Sequence, residues 1–183
     1  MRCLKTPFTD ADSTWMPSVR RLLSSLGLAL IVVGLTPLAS PGAPGVAGVD
    51  AWIVSGRKGP TGVGVHSPDG DGQTLTRRIE AGRKVTFTIS AKRTGTGRSS
   101  VKFLACAGAP GFAVTYRLPD GTVVTLDVTG SGYTYRQVDV GQIVRMRLTV
   151  DTAPSSAGDE AFCGVGAYTP DRGDVVGARI VAV

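Results

Sequence analysis

The sequence predicts an all-β protein, an antiparallel β-sandwich carried behind an N-terminal signal peptide. Three observations lead there. Lys84 to Lys92 alternates, with Val85, Phe87, Ile89 and Ala91 on one side and Thr86, Thr88, Ser90 and Lys92 on the other, the period of a strand with one face buried and one wet. Similar runs recur after residue 50, separated by Gly, Pro and Asp turns, and the chain holds 25 glycines. Arg20-Arg21 precede an uncharged, mainly apolar run from Leu22 to Leu35. That run is long enough for a signal-peptide core and short for a membrane span.

The leader divides the chain into residues 1–47, an extension and signal peptide, and residues 48–183, the sandwich. Pro37 breaks a helix, and Gly45-Val46-Ala47 offers small residues for cleavage after Ala47. Met16, followed by Pro-Ser-Val-Arg-Arg, makes a more basic start than Met1, because residues 1–15 carry Asp10 and Asp12. The alternative is an uncleaved signal anchor, the one way this reading attaches the chain to a membrane.

Ten strands are expected in order. Gly48–Val54 opens with Trp52, Ile53 and Val54. Gly56 to Gly64 is loop, with Val63–His66 as an added edge segment. Ser67-Pro68-Asp69-Gly70-Asp71-Gly72 turns into Gln73–Glu80. Ala81-Gly82 leads into Lys84–Lys92, and Thr94 to Gly97 ends it. Val101–Ala107 and Phe112–Leu118 follow. Pro119-Asp120-Gly121 then signals a hairpin to a return strand, Thr122–Val128, with Val124, Leu126 and Val128 on one face. Tyr133–Val138, Gln142–Val150, Glu160–Tyr168 and Asp174–Val183 complete the set, and no helix is expected.

Cys3 falls in the segment to be removed. Cys106 and Cys163 remain, an even number in an exported domain, so they are expected to form a disulfide. From Asp50 onward there are 16 Lys/Arg against 12 Asp/Glu, a balance of +4. The basic residues are scattered or paired (Arg57-Lys58, Arg77-Arg78, Arg83-Lys84, Lys92-Arg93). They read first as a solvated surface and second as a weak attraction to anionic cell-wall polymers.

No catalytic constellation assembles. His66 is the only histidine and reads as an exposed loop residue. One histidine and two cysteines do not close a zinc tetrahedron. Asp69-Gly-Asp71-Gly resembles the start of a calcium loop but lacks the closing glutamate, so it reads as a turn. Gly59 to Gly64 lacks the Lys-Ser/Thr of a phosphate loop. No metal or other cofactor is expected, and nucleic acid is not an expected partner, since no base-stacking motif stands beside the charge. Tyr133 and Tyr135 share parity and form a candidate sugar-stacking face; the alternative is tyrosine at the core edge.

The order of landmarks resembles a bacterial extracellular repeat of the immunoglobulin/fibronectin type III-like class and is similar to cell-adhesion-related domains. The carrying residues are Gly70-Asp71-Gly72-Gln73-Thr74, Ala81-Gly82-Arg83-Lys84-Val85-Thr86-Phe87-Thr88-Ile89, Gly111-Phe112-Ala113-Val114-Thr115-Tyr116, Gly132-Tyr133-Thr134-Tyr135, Val140-Gly141-Gln142 and Asp174-Val175-Val176. The resemblance implies an immunoglobulin-like sandwich with no catalytic residues to carry over; the family's repeats usually come in arrays, and this chain departs from them in reading as a single copy. The expectation is a non-catalytic secreted or cell-envelope-associated binding or structural module, its partner an anionic wall polymer or another extracellular protein. The alternatives are a secreted inhibitor or soluble partner-binding protein and, last, a small hydrolase using His66.

Overall fold

The computed structural model describes residues 48–57 and 59–183, which form nine strands in two sheets, one short α-helix and a 3-10 turn at Pro154–Ser156. The expected leader, its cleavage point and the alternative start lie outside the described residues. The strands are β1 (Gly48–Val54), β2 (Thr74–Ile79), β3 (Lys84–Thr94), β4 (Ser99–Ala105), β5 (Phe112–Arg117), β6 (Tyr133–Val138), β7 (Ile143–Thr152), β8 (Glu160–Tyr168) and β9 (Gly173–Ala182). The first sheet has the order β1-β3-β7-β5 and the second β2-β9-β8-β4-β6. No helix among the described residues is long and apolar enough to cross a membrane.

Alternation builds the core. Val85, Phe87, Ile89 and Ala91 of β3 are buried against Val144, Met146, Leu148 and Val150 of β7. The second sheet contributes Val101 and Phe103, Val165 and Ala167, and Val176, Ala178 and Ile180. Cys106 and Cys163 are joined, with Cα atoms 5.6 Å apart. Tyr116, on β5 of the first sheet, reaches across the sandwich to this bridge. Its hydroxyl donates to Cys106 O at 3.2 Å and lies 3.0 Å from Cys163 Sγ.

Four expectations are corrected. The sandwich is not wholly antiparallel, because β2 runs parallel to β9. Having crossed from the first sheet after β1, the chain enters the second alongside its last strand. Thr122–Val128 is not a strand: after an isolated bridge from Arg117 to Val123, Thr125–Thr129 forms helix α1. Val124 and Val128, four residues apart, are buried on one helix face, while Leu126 is 88% exposed. Packing here overrides the β-branched preference of the segment. Val63–His66 adds no strand; instead Thr61 exchanges two backbone hydrogen bonds with Ile53. Finally, Arg93 is not a surface charge. β3 runs two residues past Lys92, which turns Arg93 inward, and its guanidinium donates to Gly48 O at 3.0 Å and Thr96 O at 3.3 Å.

Candidate functional site

The open face of the first sheet gathers charge. On β7, Val144, Met146 and Leu148 point into the core, so Arg145 and Arg147 between them point to solvent. Arg147 stands directly opposite Arg117 of β5, and Arg145 opposite Ser90 of β3. Lys92 is exposed one rung further along β3. Strands lie about 4.8 Å apart and same-face residues about 7 Å apart along a strand, so the three arginines form one cluster. Among the described residues, no acidic side chain forms an ion pair with Lys92, Arg117, Arg145 or Arg147. Asp50, cross-strand from Lys92, turns its Oδ1 to Gly64 N–H at 2.9 Å instead. Elsewhere on this face Lys84 and Asp151 neutralise each other at 2.7 Å. Like charges set directly opposite on a sheet are destabilising by roughly 0.2–1 kcal/mol. Arg117 and Arg147 therefore oppose folding slightly and give the face a positive field that an anion relieves.

At one end of the sandwich a buried carboxylate ties the chain together. Asp174, near the start of β9, is fully buried. Its Oδ2 accepts from Ala51 N–H of β1 at 2.7 Å; its Oδ1 accepts from Ser67 N–H at 3.0 Å and from Gln73 Nε2 at 2.7 Å. One side chain thus joins β1 of the first sheet, β9 of the second and the long loop between β1 and β2. His66 Nδ1 lies 4.0 Å from Asp174 Oδ2, with its side chain 58% exposed. The expected loop histidine is exposed, but it stands beside a buried aspartate that the sequence did not place there. Asp69 and Asp71 sit in a turn organised by Ser67. The Ser67 hydroxyl donates to Asp69 and accepts from Gly70 N–H at 3.1 Å and Asp71 N–H at 3.0 Å. The Ser67 hydroxyl, more than any other contact, holds the Asp69 carboxyl below the usual carboxylate range.

Tyr133 and Tyr135 share a face, as alternation requires. Their rings meet edge to face, with centroids 5.2 Å apart, and Tyr135 meets Phe103 in the same way at 5.9 Å. Both pack against the core, and the Tyr135 hydroxyl donates to Arg145 O at 2.6 Å, linking β6 of one sheet to β7 of the other. Burial, then the neighbouring Tyr133 and Asp120, push the Tyr135 phenol up to about 12. A phenol held neutral in the fold, against about 10 in the unfolded chain, stabilises fully below pH 10 and loses that contribution as pH rises toward 12. The ring is half exposed, so solvent screening reduces the effect to roughly 1 kcal/mol. In an ultraviolet titration we expect a late phenol ionisation at a pH of about 12, and Tyr135→Phe to remove it. A late step surviving the substitution would assign it to another ring.

The two sheets differ in how their charges are placed. On the second sheet, Arg179 and Glu160 form a two-point pair at 2.6 and 2.7 Å, which lowers the Glu160 carboxyl and raises the Arg179 guanidinium. On the first sheet Arg117, Arg145 and Arg147 lie together without an ion pair among the described residues, while on the second Arg77 and Arg78 of β2 and Arg136 of β6, also without one, stand on separate strands. Alternation alone puts Arg145 and Arg147 outward together; adding Arg117 requires the β5–β7 register.

No protein-family model matches the chain, and no curated protein matches it. Among solved structures, it is similar to a family 123 glycoside hydrolase from Clostridium perfringens, described for glycolipid glycan hydrolysis. The identity is 8% and the TM-score 0.42, over 74% of this chain and 27% of that one. It is also similar to a DUF4466 family protein from Parabacteroides merdae, at 13% identity and TM-score 0.32, over 75% of this chain and 44% of that one. The chain thus spans less than half the length of either, and likenesses at these scores carry no functional argument.

Proposed function

We propose that the protein is an exported, non-catalytic module of the bacterial cell envelope that binds an anionic polymer through the open face of its first sheet. The observation that carries the reading is the cluster of Arg117, Arg145 and Arg147, with Lys92 beside it, none of them ion-paired among the described residues. The balance of +4 from Asp50 onward equals the charge of these four residues. Guanidinium groups suit phosphate or carboxylate groups repeated along a polymer. Export is supported by the Cys106–Cys163 bridge, since disulfides persist in oxidising compartments, and by the apolar run Leu22 to Leu35 read as a signal peptide.

We read the sandwich as immunoglobulin-like. The four- and five-stranded sheets and the parallel pairing of β2 with β9 support this, although β5 precedes β6 in the chain while lying in the other sheet. A second reading, a soluble inhibitor or partner-binding protein, draws on the loop before β2, where Val63 and Val65 are 54% and 40% exposed.

The test is co-sedimentation of the protein with envelope fragments and with a purified phosphate-bearing wall polymer, across a salt series. We expect retention at low salt and release at high salt. Arg145→Gln with Arg147→Gln should weaken binding about tenfold to thirtyfold, from ~1 kcal/mol for each basic residue near an anionic surface. Arg78→Gln with Lys102→Gln, on the second sheet, should leave it within about twofold. Equal losses from both pairs would reduce the effect to net charge and refute the assigned face. Binding to neither preparation would leave the soluble-partner reading in its place.

A further inference from the structure

The knot around Asp174 has the makings of a second site. Asp50 on β1, His66 in the loop and Asp174 on β9 each offer one ligand atom, and these atoms all lie within 4.8 Å of one another. We propose that they bind a divalent transition ion of the zinc class.

The lone pairs of Asp174 leave room for it. A carboxylate has about four acceptor positions. Three are filled, one on Oδ2 by Ala51 N–H and two on Oδ1 by Ser67 N–H and Gln73 Nε2. The fourth, on Oδ2, is on the atom 4.0 Å from His66 Nδ1, too far for a hydrogen bond. Metal-binding carboxylates are commonly held by such outer hydrogen bonds, which fix their direction. Asp50 uses one oxygen on Gly64 N–H and keeps the other. Among the described residues, these two carboxylates, one of them fully buried, have no lysine or arginine ion pair, and the one basic group within ion-pair range of Asp174 is His66.

A separate observation points the same way. Gln73 is fully buried, and its carboxamide reaches the Asp174 carboxylate, yet its Oε1 has no hydrogen-bond partner among the described residues. An unpaired buried carbonyl oxygen costs about 1–3 kcal/mol. Here it leaves an unsatisfied polar atom at the buried end of the knot, on the side chain whose Nε2 holds Asp174 Oδ1. The wall around it is tight: a Cβ at Gly62, whose φ is +104°, would lie 2.7 Å from Oε1 and 3.1 Å from Ala51 O.

The donor set selects the ion. One imidazole nitrogen with two carboxylate oxygens, and a fourth position for water, suits zinc or its neighbours, whereas calcium prefers six to eight oxygens. In a tetrahedral site, ligand atoms at about 2.0–2.2 Å from the ion lie about 3.3–3.6 Å apart. Closing the site therefore needs shifts of up to about 1.5 Å, which the exposed His66 and half-buried Asp50 can make while Asp174 stays fixed.

The test uses the full chain with Cys3→Ser, so that the single histidine is the only nitrogen ligand competing with no free thiol. Calorimetric titration with zinc should show one saturable site, and cobalt substitution should give the visible bands of a four-coordinate ion. His66→Ala and Asp50→Asn, both at accessible side chains, should each weaken zinc binding about hundredfold with the circular dichroism unchanged. Absence of saturable zinc binding, or binding that survives both substitutions, overturns the site. Calcium binding as tightly as zinc overturns the assignment of the ion.

Discussion

Replacing Cys106 and Cys163 together by alanine is expected to destabilise the domain by about 4 kcal/mol. The bridge closes a loop with a sequence separation of 57, and in the chain-entropy model a loop of that length accounts for the figure. Domains of this kind have only about 5–15 kcal/mol in total, so the loss is a large fraction. The sheet around the bridge remains connected without it, since β4 and β8 are already hydrogen-bonded up to the pair Ala105 and Val165. The bridge therefore acts chiefly on the unfolded chain, and the double variant should fold to the same sandwich. In urea we expect the midpoint to fall by about 2 M with a similar slope, taking about 2 kcal/mol per molar for a domain of this size. A shift under about 0.5 M would show that the unfolded chain is already confined in this region. Single cysteine variants are poorer tests, because each leaves a buried thiol beside Tyr116.

Much of the fold was legible because a period of two is a direct record of a face. β1 has the bounds read from the residues, and in β3 and β7 the inward sets Val85–Ala91 and Val144–Val150 are the buried ones. Legibility fails where one pattern serves two structures. Val124, Leu126 and Val128 alternate as a strand would, but Val124 and Val128 are also four apart, and packing chose the helix. It fails again where an end is misjudged: the two added residues of β3 turn Arg93 from a surface charge into a buried one. The candidate sites depend on still longer reach. Arg145 and Arg147 share parity, but Arg117 joins them only through the β5–β7 register. Asp174 meets Ser67 and Ala51 across 107 and 123 residues, and no local signal in Gly-Asp-Val-Val marks it as the residue on which both sheets and a loop converge.

Asp174→Ala is accordingly expected to cost about 4 kcal/mol, comparable to the disulfide although no covalent bond is lost. Hydrogen bonds to a charged acceptor contribute about 1.5–3 kcal/mol each, and three are removed together, with incomplete additivity. The donors left behind cannot all find water. Ala51 is fully buried, with Ile53 two residues on already engaged by Thr61, and Gln73 is fully buried as well. Ser67 lies nearer the surface and can be rehydrated, so the loss should be uneven. Amide hydrogen exchange is expected to rise at Ser67 and through residues 61–73, while β3 and β7 keep their protection, because their ladder does not involve Asp174. Asp174→Asn keeps the shape and one acceptor, but sets an NH₂ group against either Ala51 N–H or the Ser67 and Gln73 donors, and should cost about half as much. Asp69→Asn is the comparison: it changes a nearby carboxylate whose contacts lie within one exposed turn, and its effect should stay within about 0.5 kcal/mol, as for surface changes away from such networks. If Asp174→Ala costs under about 1 kcal/mol, the three hydrogen bonds are replaceable by solvent, and the loop is held by the Thr61–Ile53 exchange with β1 and by the backbone bonds of Ser67 O and Gln73 O with β9. A loss near 4 kcal/mol with exchange confined to the loop shows that the Asp174 side chain adds decisively to the backbone bonds from Val175 N–H to Ser67 O and from Gly177 N–H to Gln73 O in holding the His66 loop on β9.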